Sequence, residues 1–170
     1  MTLLVLLAAL AVLRGLGALG VRRFATWPTT AGYALAAMLF MTASAHFVPA
    51  GVTVMPTHDD LVAMVPPVVP SPSTMVYLTG VLEILGALGL IIGRTRRAAG
   101  YGLALLFVAM LPANIHAATA EIPFAGEPAS PLWQRIPEQA LYIAVALWAT
   151  RDAQPPPRPR GLGMAASARG

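Results

Sequence analysis

Glu83 is the only charged residue in Thr74–Gly93, a run of twenty mostly apolar residues. A carboxylate in the middle of a bilayer is costly, so acids retained there face a bundle interior and mark functional sites. The chemistry on offer is acid or base catalysis, or proton handling. His46 stands near the end of the preceding apolar run. Asn114 and His116 stand near the end of the following one, and Gln139 opens the last. At a helical rise of ~1.5 Å per residue, Glu83 lies ~13 Å past Thr74, near the middle of a ~30 Å hydrocarbon core. His46, Asn114, His116 and Gln139 fall in one outer layer. These side chains can enclose a cavity open to the outer side, with Glu83 as its floor and the imidazoles and amides as ligand-binding groups.

Plainer roles compete with these. Arg14, on the inner half of the first apolar run, can reach toward mid-membrane and hold Glu83 in a structural ion pair. His46 and His116 lack a third ligand of suitable placement, so no metal site is expected. Pro112 cannot donate to the carbonyl of Val108, which predicts a kink and a freed acceptor beside Asn114. The chain has no cysteine, which excludes disulfides and thiolate chemistry of its own. It also lacks a Ser-His-Asp order, a phosphate loop and a haem-type Cys motif, so no intrinsic cofactor is expected. The eight methionines are scattered, as core-filling residues are.

The elements that must position these residues are apolar helices. Hydrophobic residues make up 57% of the chain and charged ones 11%, against ~25% in soluble domains. Mean hydropathy is +0.70. Five apolar runs can be marked: Leu3–Val21, Thr29–Pro49, Thr74–Gly93, Ala98–Ala120 and Glu138–Thr150. The last is short for a span and must borrow length from about Trp133 onward, or thin the bilayer locally. Leu3–Val21 competes with a cleaved signal peptide. It lacks a positive n-region, and Arg14 follows its apolar core, so a retained helix is favoured.

All eleven basic residues are arginine. Arg22 and Arg23, Arg94, Arg96 and Arg97, and Arg151, Arg158 and Arg160 follow the first, third and fifth runs. Loop Ala50–Ser73 has none, and loop Glu121–Pro137 has only Arg135. The positive-inside rule then places Met1 outside and Gly170 in the cytoplasm. Arginines placed this way anchor a membrane protein, and no nucleic-acid partner is expected.

The organisation predicted is an N-terminal helix over residues 1–23, a helical membrane bundle over 29–150, and a disordered Pro/Arg-rich cytoplasmic tail over 151–170. In loop Ala50–Ser73, His58-Asp59-Asp60 can cap a short helix at Leu61–Val65 before Pro66, Pro67, Pro70 and Pro72 stiffen the chain. That segment either lies over the bundle mouth or rests on headgroups as a connector. Gly86, Gly89 and Gly93, and Ala109, Ala113 and Ala117, offer small faces for helix contacts within the bundle.

Several stretches in order carry a family resemblance. They are Ala45-His46-Phe47, Met64-Val65-Pro66-Pro67, Tyr77-Leu78-Thr79-Gly80-Val81-Leu82-Glu83, the Arg94–Arg97 turn, and Leu111-Pro112-Ala113-Asn114-Ile115-His116. Together they resemble the DoxX-like family of small bacterial integral membrane proteins, over roughly half the chain. The resemblance implies an all-α polytopic bundle of four helices in the cell inner membrane, to which Leu3–Val21 is an addition. It further implies an accessory subunit of a membrane redox or stress-response system, with lipid around it, a redox partner subunit beside it, and a quinone-like ligand or protons at the buried acid. The fold is also similar to that of the EXPERA proteins, which include sterol isomerases. That leaves open an isomerase-like enzyme acting on a small hydrophobic substrate, with Glu83 as acid or base. With no cysteine here, any thiol chemistry belongs to a partner.

Overall fold

The computed structural model describes residues 2–52, 55–124, 126–127 and 130–153. Its elements are α1 (Thr2–Ala18), α2 (Trp27–Ala45), α3 (His58–Met64), α4 (Pro72–Ile91), α5 (Arg96–Thr119) and α6 (Leu132–Ala149). Short 3₁₀ turns follow α1 and α6, at Arg22–Phe24 and Thr150–Asp152. Among the described residues no strand forms beyond a single bridge between Phe124 and Glu127. The protein is all-helical. By length and composition α4 and α5 are apolar enough to cross a membrane, and α1 is a shorter apolar helix.

Each of the five apolar runs lies largely within a long helix, and the ends are set by local chemistry. Pro28 and Pro72 occupy first-turn positions, where a missing N–H is harmless. The short run at Glu138–Thr150 gains its length from six further residues, beginning at Leu132.

Four of the helices pack in a ring in which α2 touches α4, α4 touches α5, α5 touches α6 and α6 returns to α2. Neighbours in the ring run antiparallel. α1 packs on α2 from outside, and Thr2 bonds the hydroxyl of Tyr142 on α6. Leu35, Met38, Leu39, Leu90, Leu103 and Phe107 fill the centre. The buried stripe of α4 is Val76, Gly80, Glu83, Ala87 and Leu90, spaced by three and four residues. Glu83 therefore points into the ring.

Glycine sets the closest approaches. A methyl group on Gly89 would lie 2.6 Å from Cβ of Ala99, and one on Gly86 would strike Leu103, so these two hold α4 against α5. The alanine repeat on α5 is not a uniform contact face: Ala117 is buried but Ala109 is exposed.

The alternation of direction creates two unlike ends. Around His46 and His116 gather the C-termini of α2 and α5, the N-termini of α4 and α6, and α3. At the opposite end stand Arg14, Arg22, Arg23, Arg94, Arg96, Arg97 and Arg151. Arg96 is buried there, donating to the carbonyl of Leu90 at 2.8 Å and to Thr29 Oγ1 at 2.9 Å. Asp152 is held by the hydroxyls of Thr26 and Thr29. Arg151 and Asp152, expected to open a disordered tail, instead belong to a 3₁₀ turn, because the carboxylate of Asp152 finds two donors on α2 and its preceding turn. Residues 154–170 lie outside the described residues.

Candidate functional site

The site grows from one close contact. α2 ends at Ala45, and His46, its C-cap, falls over Gly80 on α4. With no Cβ at residue 80, the imidazole enters the ring. His46 Nδ1 lies 2.6 Å from the carbonyl oxygen of Val76, which can only accept, so Nδ1 carries a hydrogen. The other nitrogen, Nε2, faces Glu83 Oε1 at 3.6 Å. Thr42, one turn earlier on α2, donates to Glu83 Oε2 at 2.9 Å and also lies 3.2 Å from the carbonyl of Leu39. His46 and Glu83 are both buried, at 4% and 3% exposure.

With Nδ1–H committed to Val76, Nε2 is the nitrogen turned to Glu83, at 3.6 Å, just beyond hydrogen-bond distance. An imidazole and a carboxyl that face each other in a buried setting can pass a proton between them, and a pair that is neutral overall is tolerated there better than a lone charge. Thr42 supplies the hydrogen bond to the second carboxyl oxygen.

A second histidine, used in the sequence only as a capping residue, closes this end. His58 is buried at the start of α3. Its Nδ1 donates to the carbonyl of His46 at 2.8 Å, and its Nε2 lies 2.9 Å from Ser73 Oγ. Its ring stacks on Tyr77 with centroids 4.0 Å apart. The helix cap itself is Thr57, in a reciprocal box with Asp60, so the expected capping run His58-Asp59-Asp60 forms the first turn of α3 and only Asp60 of it shares in the cap. α3 packs on α4 and α5 and covers the mouth expected to be open.

The other expected site residues go elsewhere. His116 Nδ1 bonds the carbonyl of Met64 at 3.2 Å, tying α5 to α3. Asn114 Oδ1 accepts from Arg135 at 3.1 Å, tying α5 to α6. Gln139 is buried and donates to the carbonyl of Phe107 at 2.8 Å. No bond joins these three to Glu83. Arg14 does not pair with Glu83 either. It donates to the carbonyls of Phe24 and Ala25 at 2.7 and 3.0 Å and lies over the Trp27 ring. The turn after α1 offers carbonyls without helical partners, and the guanidinium satisfies them close to its own helix end.

Residues 35–150 match the model of a family described as Domain of unknown function (DUF8561). The chain belongs to that family. No curated protein and no solved structure matches it. The DUF8561 segment contains Thr42, His46, His58, Gly80 and Glu83, and so the whole buried pair with its supports. It begins within α2 and leaves α1 and Arg14 outside.

Thr42, His58 and Gly80 belong to the site but were not singled out as such in the sequence. Thr42 and His46 are four apart on one helix, and Gly80 and Glu83 three apart on another. Those spacings put each pair on a single face and were the signal available.

Proposed function

We propose that this DUF8561 protein is a DoxX-like integral membrane protein of the bacterial inner membrane. It acts as an accessory subunit of a redox or stress-response system, with the His46–Glu83 pair exchanging a proton beside a quinone-like apolar ligand or a partner subunit. The observation that carries this is the buried His46–Glu83 pair, 3.6 Å apart inside a four-helix ring. Proton exchange needs an acid and a base held facing each other, and this pair supplies both.

The distribution of side chains supports a lipid surrounding. Polar groups turn inward at Glu83, His46 and Gln139, while Leu78, Val81, Leu82, Leu85 and Leu88 on α4 and Leu105 and Val108 on α5 are exposed. A contiguous apolar outer face of this kind suits a membrane. The arginine end fits the cytoplasmic side. Asp59, Asp60, Glu121, Glu127 and Glu138 belong to the opposite end.

The test is purification in mild detergent with and without Glu83→Gln, followed by infrared spectroscopy of the carboxyl stretch during pH titration. A band that appears on acidification in the wild-type chain and is missing from Glu83→Gln reports the exchanging proton. A co-purifying redox subunit supports the accessory role. A lipid-like ligand with no protein partner turns the reading toward the isomerase-like enzyme, and a silent carboxyl region defeats proton exchange.

A further inference from the structure

We propose that the groove between α4 and α5 holds one acyl chain of an anionic phospholipid, whose phosphate is taken by Arg94 and Arg97. This rests on the membrane reading above. The groove has a volume of about 430 Å³ and is lined by apolar and small residues, with Gly86, Gly89 and Gly102 along it. That volume falls within the range of ~300–1,000 Å³ of small-molecule sites. On α4 it runs from Leu82 to Ile92. Ten helical steps are ~15 Å, the depth of one leaflet in a ~30 Å hydrocarbon core.

The groove is charged at one end only. Ile92, Thr95 and Ala98 line that end, and the exposed Arg94 and Arg97 immediately precede Thr95 and Ala98 in sequence. Among the described residues neither arginine has a side-chain hydrogen bond or an ion pair. Basic positions at the cytoplasmic end of a cleft between helices select anionic headgroups. A second copy of this chain is a poorer occupant. A two-fold dimer through the groove would bring both copies' Arg94 and Arg97 to one depth, where like charges repel.

Gly102 makes the groove testable. Nothing lies within 4 Å of a Cβ built there, so a large side chain enters the groove without striking the helix contact. The experiment is native mass spectrometry of the full chain in mild detergent with added phosphatidylglycerol or phosphatidylcholine. Phosphatidylglycerol should be retained preferentially. R94Q with R97Q should cut that preference by roughly 30-fold, the equivalent of two surface arginines. G102F should displace the same lipid with both arginines intact, while G102A should retain it. Equal retention of the two lipids, or retention unchanged in G102F, overturns the proposal. So does a concentration-dependent dimer that G102F abolishes without loss of lipid. If G102F fails to fold, the arginine pair still decides the matter. Alkaline carbonate extraction separates this from the membrane reading. Release of the wild-type chain defeats that reading, whereas a chain that stays in the membrane without lipid preference defeats the lipid site alone.

Discussion

A methyl group on Gly80 would lie 2.6 Å from Cβ of His46 and 2.7 Å from its Cγ. The glycine is therefore what admits the imidazole into the ring. It stands three residues before Glu83 on the same face of α4, so one helix both opens the space for His46 and presents the carboxyl it meets.

Gly80→Ala should push His46 off Glu83 and destabilise the fold by about 1–3 kcal/mol, as overpacking does. The better helix propensity of alanine, worth ~1 kcal/mol, opposes this but does not offset it. Gly102→Ala is the control, because its Cβ enters open space, and it should be neutral or mildly stabilising. Thermal unfolding in detergent measures both. Equal midpoints for the two variants would show that His46 moves aside without cost.

Arg14 and Glu83 should behave as independent sites. Arg14 satisfies the carbonyls of Phe24 and Ala25, and Glu83 shares its environment with His46 and Thr42, so they have no common partner. The losses from Arg14→Leu and Glu83→Gln should add to within about 0.5 kcal/mol in the double variant. Rescue of Glu83→Gln by Arg14→Leu would mean that the two groups pair after all.

The long helices were legible because their apolar runs hold at most one charged residue in the middle and their ends are marked by proline and arginine. The inward direction of Glu83 was legible from cost alone. The partner of Glu83 was not. Arg14 and His46 both stood within helical reach, and only the close approach at Gly80 decides between them, which depends on how α2 crosses α4. The expected polar layer fails for a related reason. His116 and Asn114 lie at the His46 end, whereas Gln139, level with Phe107, lies about two helical turns deeper than Asn114; each meets a nearer acceptor or donor than Glu83, namely the carbonyl of Met64, Arg135 and the carbonyl of Phe107.

On the proposed membrane reading, five crossings would place the two ends of the chain on opposite sides. Reporter fusions at Met1 and Gly170 should read outside and inside respectively, following the arginine asymmetry. Both reporters on one side would mean that α1 or α6 lies along the membrane and does not cross it.

Gln139 offers the sharpest test of the packing between α5 and α6. Its Nε2 donates at 2.8 Å to the carbonyl of Phe107 in a buried setting, just ahead of the helix turn that Pro112 interrupts. Gln139→Leu keeps similar bulk but removes the second donor to a carbonyl that keeps its helical partner, at a cost of about 0.5–1.5 kcal/mol. Gln139→Glu goes further at neutral pH, because an ionised carboxylate faces a carbonyl and neither can donate. Protonation restores a donor. The stability lost by Gln139→Glu should therefore return as the pH falls, while the deficit of Gln139→Leu stays level across the same range. Unfolding midpoints of the two variants, each taken against the wild-type chain at every pH, measure this. Parallel curves for the two variants would show that Phe107 does not depend on Gln139 for its second hydrogen bond.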